Sequence, residues 1–327
     1  MKLQKAGYQG IYLPDLGIAM DGTHPEAELT FVTHAHADHM HRNRKAHTYA
    51  TAPTVELMQL RGFKGSVTAM EFEQPIETDR CKITLYPAGH ILGSAMILIE
   101  SDEGSLFDTG DFKTPPSPAS EGFSAPDQAD YVITEATFGL PIYRWEPIEK
   151  LAETLRAFAT ESLDGGYTPI FLGYNLGKAQ EILHLLAPLG RPMMIHGAGH
   201  KLCSVYDNYG IDLGNYQPYE RETCEGNILV CPSSALSNGF ASNVAKKRIA
   251  YCSGWAALES RRTQLTVDKL VPLSDHLDFY ELIDFCKSLT PKKVYVTHTP
   301  NPDVVNHYLE QEGINASFLS LEAEEKD

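Results

Sequence analysis

Short apolar segments alternate with helical patterns along most of this chain, and this alternation limits its possible folds more than any other feature. Residues 27–34 (AELTFVTH), 81–90 (CKITLYPAGH) and 292–298 (KKVYVTH) have the pattern of strands. Residues 177–190 begin and end at glycine, and residues 274–289 carry a Ser/Asp cap before an apolar face, so both predict helices. Strands that alternate with helices in this way predict an α/β protein.

Length and composition predict a large globular protein. With 327 residues, of which 43% are hydrophobic and 21% charged, the chain can bury one large core or a core with an insertion. No stretch approaches the roughly 20 apolar residues that span a membrane, and the N-terminal region lacks an apolar run of signal-peptide type. The six cysteines include no Cys-x-x-Cys pair, which suits a reducing compartment. We therefore expect a cytoplasmic protein without a membrane partner.

The net charge of −16 disfavours nonspecific binding of nucleic acid by the surface as a whole. A local positive channel remains compatible with this charge. Arg42, Arg44 and Lys45 are candidates because they follow a histidine-rich loop, although such runs are more often a solvated face.

The histidine-rich loop, THAHADH at residues 33–39, has a His-x-His-x-Asp-His spacing directly after a predicted strand. His34 and His36 are two residues apart in a loop, so both imidazoles can bind one ion. Asp38 and His39 then begin a turn toward a neighbouring site. Imidazole and carboxylate groups without a thiolate suit Zn²⁺, or alternatively Mn²⁺.

Further candidate ligands also follow strands. Because strand ends converge on one edge of a sheet in α/β folds, these side chains are expected to meet the histidine loop. They are His90, Asp111, Glu135 and His298.

Several of these motifs together resemble a known family. THAHADH, followed by PAGHILGSA and TGD, resembles the motifs of the metallo-β-lactamase fold in their usual order. ITEATFG, LGKAQEIL, PLSDHLD and VYVTHTP are similar to the β-CASP nucleases, the branch that includes Artemis, the mRNA 3′-end cleavage factors and ribonuclease J. TEATFGLPIYRW with NLGKAQ is most similar to bacterial ligase-associated DNA exonucleases.

The resemblance covers roughly residues 8 to 300 and implies an αββα metallo-β-lactamase sandwich with an inserted β-CASP cap domain. The implied divisions are residues 1–141 for the first part of the sandwich, 142–262 for the cap and 263–327 for the return segment.

The resemblance also implies a metal-dependent hydrolase with two divalent ions. Two ions about 3.5–4 Å apart lower the pKa of a bridging water and stabilise the charge that grows on a phosphate during its hydrolysis. The implied ligands are His34, His36 and His90 for one ion, Asp38, His39 and His298 for the other, and Asp111 as the bridge.

The implied catalytic residues are Asp38, Asp111, Glu135 and His276. His276 would act as general acid or phosphate donor, oriented by Glu135. Asp108 competes with Asp111 because both flank one turn, and only the TGD motif favours Asp111. Asp21 is either a partner of the histidine loop or a simple turn residue.

Candidate substrate contacts lie in the predicted cap. A glycine precedes the helix that begins near Lys178, so backbone N–H groups there can face a phosphate. Ser233 and Ser234 offer hydroxyl groups, and His196 is a further candidate contact. A capped turn or a structural role is the alternative for each.

The resemblance gives two indications of the substrate that disagree. In the DNA-processing branch the position of His298 resembles an apolar residue, whereas RNA-processing members usually have histidine there. The longer TEATFGLPIYRW match favours DNA. The predicted function is therefore a DNA exonuclease in DNA repair, acting on single strands or duplex ends, with a DNA ligase or other repair protein as partner. A ribonuclease in RNA processing and a noncatalytic nucleic-acid-binding scaffold are the alternatives.

Overall fold

The computed structural model describes residues 1–7 and 9–321, and the chain divides into two compact units. The first unit comprises Met1–Pro116, Ser120–Ile142 and His276–Asp327. The second unit comprises Ser117–Ala119 and Tyr143–Asp275. The first unit is therefore assembled from segments on both sides of the second.

The chain up to residue 142 forms most of two sheets. Its one α-helix, α1 (Ala52–Leu60), begins after Thr51, whose hydroxyl caps the helix by accepting from the Thr54 N–H. The strands are β1 (Gln4–Ala6), β2 (Gly10–Leu13), β3 (Ile18–Met20), β4 (Leu29–Phe31), β5 (His47–Thr51), β6 (Ser66–Met70), β7 (Ile76–Glu77), β8 (Cys81–Pro87), β9 (Ala95–Ser101), β10 (Gly104–Asp108) and β11 (Tyr131–Glu135).

The second unit is built around one sheet. Its elements are α2 (Ile148–Asp164), β12 (Thr168–Leu172), α3 (Lys178–Leu186), β13 (Met193–Ile195), α4 (Gly197–Asn208), β14 (Tyr216–Pro218), β15 (Ile228–Cys231), α5 (Ser233–Ser237), β16 (Lys247–Cys252), α6 (Ser260–Leu265) and β17 (Lys269–Val271), with short 3₁₀ turns at Ala187–Leu189 and Gly254–Ala257.

All strand pairs of this sheet are parallel, in the order β14-β13-β15-β12-β16-β17. Parallel strands are usually apolar along their whole length because both faces are covered, and β12 and β15 are buried throughout. The unit extends to Asp275, beyond the return expected at residue 263, because β17 pairs with β16.

The remaining segment completes the first unit with α7 (Phe279–Ser288), β18 (Lys293–Thr297), α8 (Pro302–Gln311) and β19 (Ala316–Phe318). One sheet has the order β1-β2-β3-β4-β5-β6, and the other has the order β19-β18-β11-β10-β9-β8-β7. Strand β18 lies parallel to β11, so a late segment of the chain pairs with an early one.

Alternate residues of β9 join two different cores of the first unit, because successive side chains of a strand point to opposite faces. Ile97 and Ile99 pack between the two sheets in a core that includes Phe31 of β4. Met96 and Leu98 pack in a second core that includes residues of α7 and α8. The sequence-based expectation of an α/β fold is confirmed. Within the described residues, no helix is both long and apolar enough to cross a membrane.

Candidate metal centre

Three imidazole groups meet beside the loop that follows β4. Nε2 of His34 lies 3.0 Å from Nδ1 of His36, and Nε2 of His90 lies 3.1 Å from the same atom. Four ligands placed tetrahedrally about 2.1 Å from a zinc ion would be roughly 3.4 Å from one another. The separations therefore fit donors that share one divalent ion.

The carboxylate of Asp111 faces these imidazoles. Its Oδ2 atom lies 3.6 Å from Nε2 of His34, 3.8 Å from Nε2 of His90 and 3.5 Å from Nε2 of His39. Burial alone would raise the pKa of Asp111, but the charge and hydrogen bond of His39 outweigh it and hold this pKa well below its usual range. One oxygen of the Asp111 carboxylate thus faces His34 and His39, which belong to the two halves of the histidine loop. A ligand that bridges two ions needs such a position.

Asp108, the competing carboxylate of the same turn, has a different environment. It accepts a hydrogen bond from the Gly110 N–H at 3.3 Å. Burial raises the pKa of Asp108 to about 7, and the charge of Asp21 contributes to this rise. Of the two carboxylates, it is thus Asp111 that faces the imidazoles, and its role as a metal bridge stays a prediction.

A second group of ligand atoms consists of His39, Asp111 and His298, with all three atoms within 4.8 Å of one another. His298 directly follows β18 and has a φ of 42°, in the left-handed region. The two groups share Asp111, so the donors suit two neighbouring divalent ions.

Asp21 and Thr33 hold His39 in place. Nδ1 of His39 lies 2.6 Å from Oδ2 of Asp21, which also accepts from the Thr33 hydroxyl at 2.6 Å. Burial would lower the pKa of His39, but the carboxylates of Asp111 and Asp21 outweigh it and raise this pKa well above its ordinary value. Of the two alternatives for Asp21, the structure favours the partner of the histidine loop. Thr33 had not been identified from the sequence, although it directly precedes the motif.

Asp38 belongs to none of the groups of ligand atoms found among the described residues. Its side chain is exposed. Burial lowers the pKa of Arg61, and the charge of Asp38 only partly opposes this shift. The His39 N–H donates to the His36 carbonyl at 3.2 Å, so the loop turns between them and Asp38 occupies the outer side of this turn. This arrangement does not match the expectation that Asp38 completes the second metal site.

Glu135 and His276 form a pair beside the metal ligands. Nδ1 of His276 lies 2.6 Å from Oε1 of Glu135, and the ligand atoms of both lie within 4.8 Å of that of Asp111. Glu135 is buried and also accepts from the Phe112 N–H at 3.1 Å and the Thr137 hydroxyl at 2.5 Å. The carboxylate therefore fixes the ring of a histidine that can exchange protons at the site.

Helix α7 begins just after His276 with a capping box. Asp278 accepts from the Glu281 N–H at 2.9 Å, and Glu281 accepts from the Asp278 N–H at 2.8 Å. These reciprocal bonds fix the start of the helix and thereby the backbone from which His276 extends.

Lys178, a predicted substrate contact, is not accessible in this structure. Its side chain is 1% exposed and pairs with Glu181, while Asp275 lies 3.8 Å away. An ammonium group that is buried between two carboxylates is already neutralised, so this arrangement gives no support to a substrate contact of Lys178, which stays a prediction.

The other predicted contacts occupy helix starts in the second unit. His196 is the N-cap of α4, and its Nδ1 accepts from the Ala198 N–H at 3.4 Å. Ser233 and Ser234 open the short helix α5, where Ser233 is half-buried and Ser234 exposed. A structural role accounts for His196, and Ser234 remains available to solvent.

The chain is similar in sequence to proteins with very different names. It is 35% identical over 292 residues to a "Probable DNA ligase" of Opitutus terrae, covering 88% of this chain and 28% of the relative. It is 30% identical over 200 residues to an RNase J-like protein of Methanocaldococcus jannaschii, covering 53% of this chain and 46% of the relative. It is 25% identical over 342 residues to the protein artemis of Gallus gallus, covering 88% of this chain and 46% of the relative. The chain spans less than half the length of each of these relatives.

No model of a known protein family matches the chain. Among solved structures, a protein of unknown function from Enterococcus faecalis V583 has a TM-score of 0.60 at 12% identity, covering 89% of this chain and 79% of that one. At this identity the likeness concerns the fold alone.

Proposed function

Since this chain is a homologue of metallo-β-lactamase/β-CASP proteins, we propose that it is a metal-dependent phosphodiesterase that hydrolyses nucleic acid. The observation that carries the proposal is the position of Asp111, whose Oδ2 lies within 3.8 Å of the Nε2 atoms of His34, His39 and His90. Buried imidazole and carboxylate groups that converge on a shared oxygen are a donor set for two divalent ions.

The residues of the chain have separate tasks in this reaction. When bound, two divalent ions would make a water more acidic and stabilise the charge that develops on the phosphate. Glu135 accepts a hydrogen bond from the Nδ1–H of His276, which leaves Nε2 as the atom that donates to the leaving oxygen. Asp21 fixes His39 in the same way, so that its Nε2 faces Asp111.

We propose DNA as the substrate and exonucleolytic cleavage in DNA repair as the activity. The support is the name of the Opitutus terrae relative, a probable DNA ligase, to which 88% of this chain aligns. A DNA ligase or another repair protein is the partner that this relationship suggests. RNA is the second candidate, favoured by the RNase J-like relative and by the histidine at position 298.

Three further assignments belong to this proposal. The first unit is the metallo-β-lactamase sandwich, and the second is a β-CASP cap inserted at the boundary that the sequence places between residues 141 and 142. Zn²⁺ is the native metal, with Mn²⁺ as the alternative, because the donors are nitrogen and oxygen without sulfur. The protein works in the cytoplasm, which accords with all six cysteines being free thiols.

The test uses DNA and RNA oligonucleotides of one sequence, labelled at either end and incubated with Zn²⁺- or Mn²⁺-loaded protein. Shortening of DNA by the wild type, but not by Asp111→Asn, would support the proposal, and the label released first would give the polarity. Cleavage of RNA alone would favour the ribonuclease. Bound metal without cleavage of either would contradict the nuclease assignment, and binding without metal or cleavage would indicate a scaffold.

A further inference from the structure

A cavity lies in the first unit, beside the histidine loop. It has a volume of about 330 Å³. Residues that flank Asp38 and His39 line it, and so does the loop that follows α1. We call it the basic pocket because four of its lining residues, Arg42, Arg44, Arg61 and Lys64, are cationic.

In the described part of the chain no ion pair neutralises the cations of the basic pocket, although the charge of Asp38 acts on Arg61. Within residues 1–7 and 9–321, none of them forms an ion pair with a carboxylate, whereas cations elsewhere, such as Arg80 and Lys82, are paired with glutamates. Arg42, Arg44, Arg61 and Lys64 are all exposed. A concentration of unpaired positive charge is unusual in a chain of net charge −16 and is suited to an anionic ligand.

His41 supplies an independent indication of a ligand. The residue is 9% exposed and lines the same pocket. Its Nε2 lies 2.8 Å from the Thr48 hydroxyl, while its Nδ1 is buried without a hydrogen-bond partner among the described residues. When the Thr48 hydroxyl donates to Nε2, the ring hydrogen is on Nδ1, and this N–H group can donate a hydrogen bond to a ligand. Buried polar atoms are normally satisfied, so a ligand oxygen is the expected partner.

The side chains that line the basic pocket indicate which class of anion it can bind. Guanidinium groups form paired hydrogen bonds with phosphate oxygens, and the ammonium of Lys64 adds a mobile charge. The ring of Phe63 packs edge-on against His41, with centroids 5.2 Å apart, and supplies an apolar wall. Such a site suits a tetrahedral anion attached to a larger molecule.

We propose that the basic pocket binds a phosphate of the nucleic-acid strand whose scissile phosphate occupies the metal centre. This inference rests on the proposed function and adds a subsite to it. The location supports it, because Ala37 and Met40 line the pocket and flank Asp38 and His39 in the metal-binding loop. The metal centre and the basic pocket thus share one short loop, and a strand held at the centre has further phosphates that can reach the pocket.

The test measures binding separately from catalysis. Fluorescence anisotropy would follow a labelled single-stranded oligonucleotide bound by metal-free protein over a range of salt concentrations. We compare wild type with Arg44→Gln/Lys64→Gln. The matched control, Lys2→Gln/Arg191→Gln, removes the same charge from exposed positions that do not line the pocket. Arg44→Lys/Lys64→Arg retains the charge, and circular dichroism verifies the fold of each variant.

We expect Arg44→Gln/Lys64→Gln to weaken binding severalfold and to reduce the dependence of log Kd on log salt, since each phosphate contact contributes about 0.7 to this slope for single strands. The control and the charge-retaining variant should bind like wild type. Equal weakening in the pocket and control variants would overturn the proposal, since the effect would then be one of general charge.

Two further measurements separate this subsite from the proposed function. Calorimetric titration with inorganic phosphate that shows binding lost in Arg44→Gln/Lys64→Gln, while no oligonucleotide binds, would overturn the assignment to a strand in favour of a free phosphate compound. Hydrolysis of bis(p-nitrophenyl) phosphate, which has no second phosphate, should be equal in wild type and pocket variant. If wild type lacks all hydrolytic activity but the binding difference persists, the subsite stands and the proposed hydrolysis fails.

Discussion

Nδ1 of His276 lies 2.6 Å from Oε1 of Glu135, although the two residues are 141 positions apart in the chain. Because the carboxylate accepts this hydrogen bond, the ring is held with Nε2 directed away from Glu135. The pair adjoins Asp111, which also faces the histidine loop. The histidine that we propose as proton donor and the predicted metal bridge thus have ligand atoms within 4.8 Å of each other.

His276→Ala should retain bound metal and lose turnover, since removal of a general acid commonly lowers a rate about 10²- to 10⁴-fold. Glu135→Gln should show a smaller loss, because the histidine remains but is less well oriented. Metal content by mass spectrometry and single-turnover cleavage of an oligonucleotide would be measured for both. Loss of metal from His276→Ala would make His276 a ligand rather than the proton donor.

Asp111→Asn should lose metal and activity together. An amide cannot supply the charge that a bridging oxygen provides, so the loss of affinity should exceed the roughly 10- to 100-fold that follows removal of an outer partner of a ligand. Asp108→Asn is the matched control, since it alters the other carboxylate of the same turn. Metal retention by Asp111→Asn, with loss in Asp108→Asn, would move the bridge to Asp108.

Asp21→Asn should weaken one metal position selectively. Its carboxylate holds His39 and, among the described residues, forms no hydrogen bond or ion pair with His34, so only the group of His39, Asp111 and His298 should lose affinity, by about 10- to 100-fold. The number of bound ions would be followed against a graded series of chelators. Asp15→Asn, an exposed turn variant, serves as control. Equal weakening of both positions would show that Asp21 supports the whole loop.

Glu281 should make stability depend on pH. Burial raises the pKa of its carboxyl group from 4.5 to about 7, and the charge of Asp278 adds to the rise. Between these values the folded state binds more protons than the unfolded state, so the free energy of unfolding falls as pH rises through this window. Glu281→Gln preserves the capping box and lacks this titration.

Urea unfolding of metal-free protein at pH 4.5, 6 and 8 would measure this effect for wild type and Glu281→Gln. The two should be most similar at pH 4.5, with wild type becoming less stable than the variant as pH rises. A constant difference between them across this range would contradict the raised pKa of Glu281.

The sequence allowed prediction of the α/β class and of several residues that meet at the site. His34, His36 and His90 could be identified because strand ends converge, and the related proteins confirm the family resemblance that their motifs suggested. Strands could be located because they depend on the local pattern of apolar residues, which can be read directly from the sequence.

The environment of individual side chains could be predicted less well from the sequence. The spacing of the motif does not reveal that the turn between His36 and His39 leaves Asp38 exposed. Lys178 is buried partly because Asp275, almost a hundred positions later, lies 3.8 Å from it, and no local pattern predicts that contact. Such outcomes depend on tertiary packing, which overrides what the neighbouring residues suggest.

The division of the first unit has a consequence for the order of events during synthesis. Glu135 leaves the ribosome before the whole second unit, and His276 and His298 leave it only afterwards. Strand β11 therefore cannot pair with β18 until the later segment has been synthesised, and until then the ligand set is incomplete. A nascent or prematurely terminated chain that stops before residue 276 would lack both histidines of the candidate site that the late segment supplies.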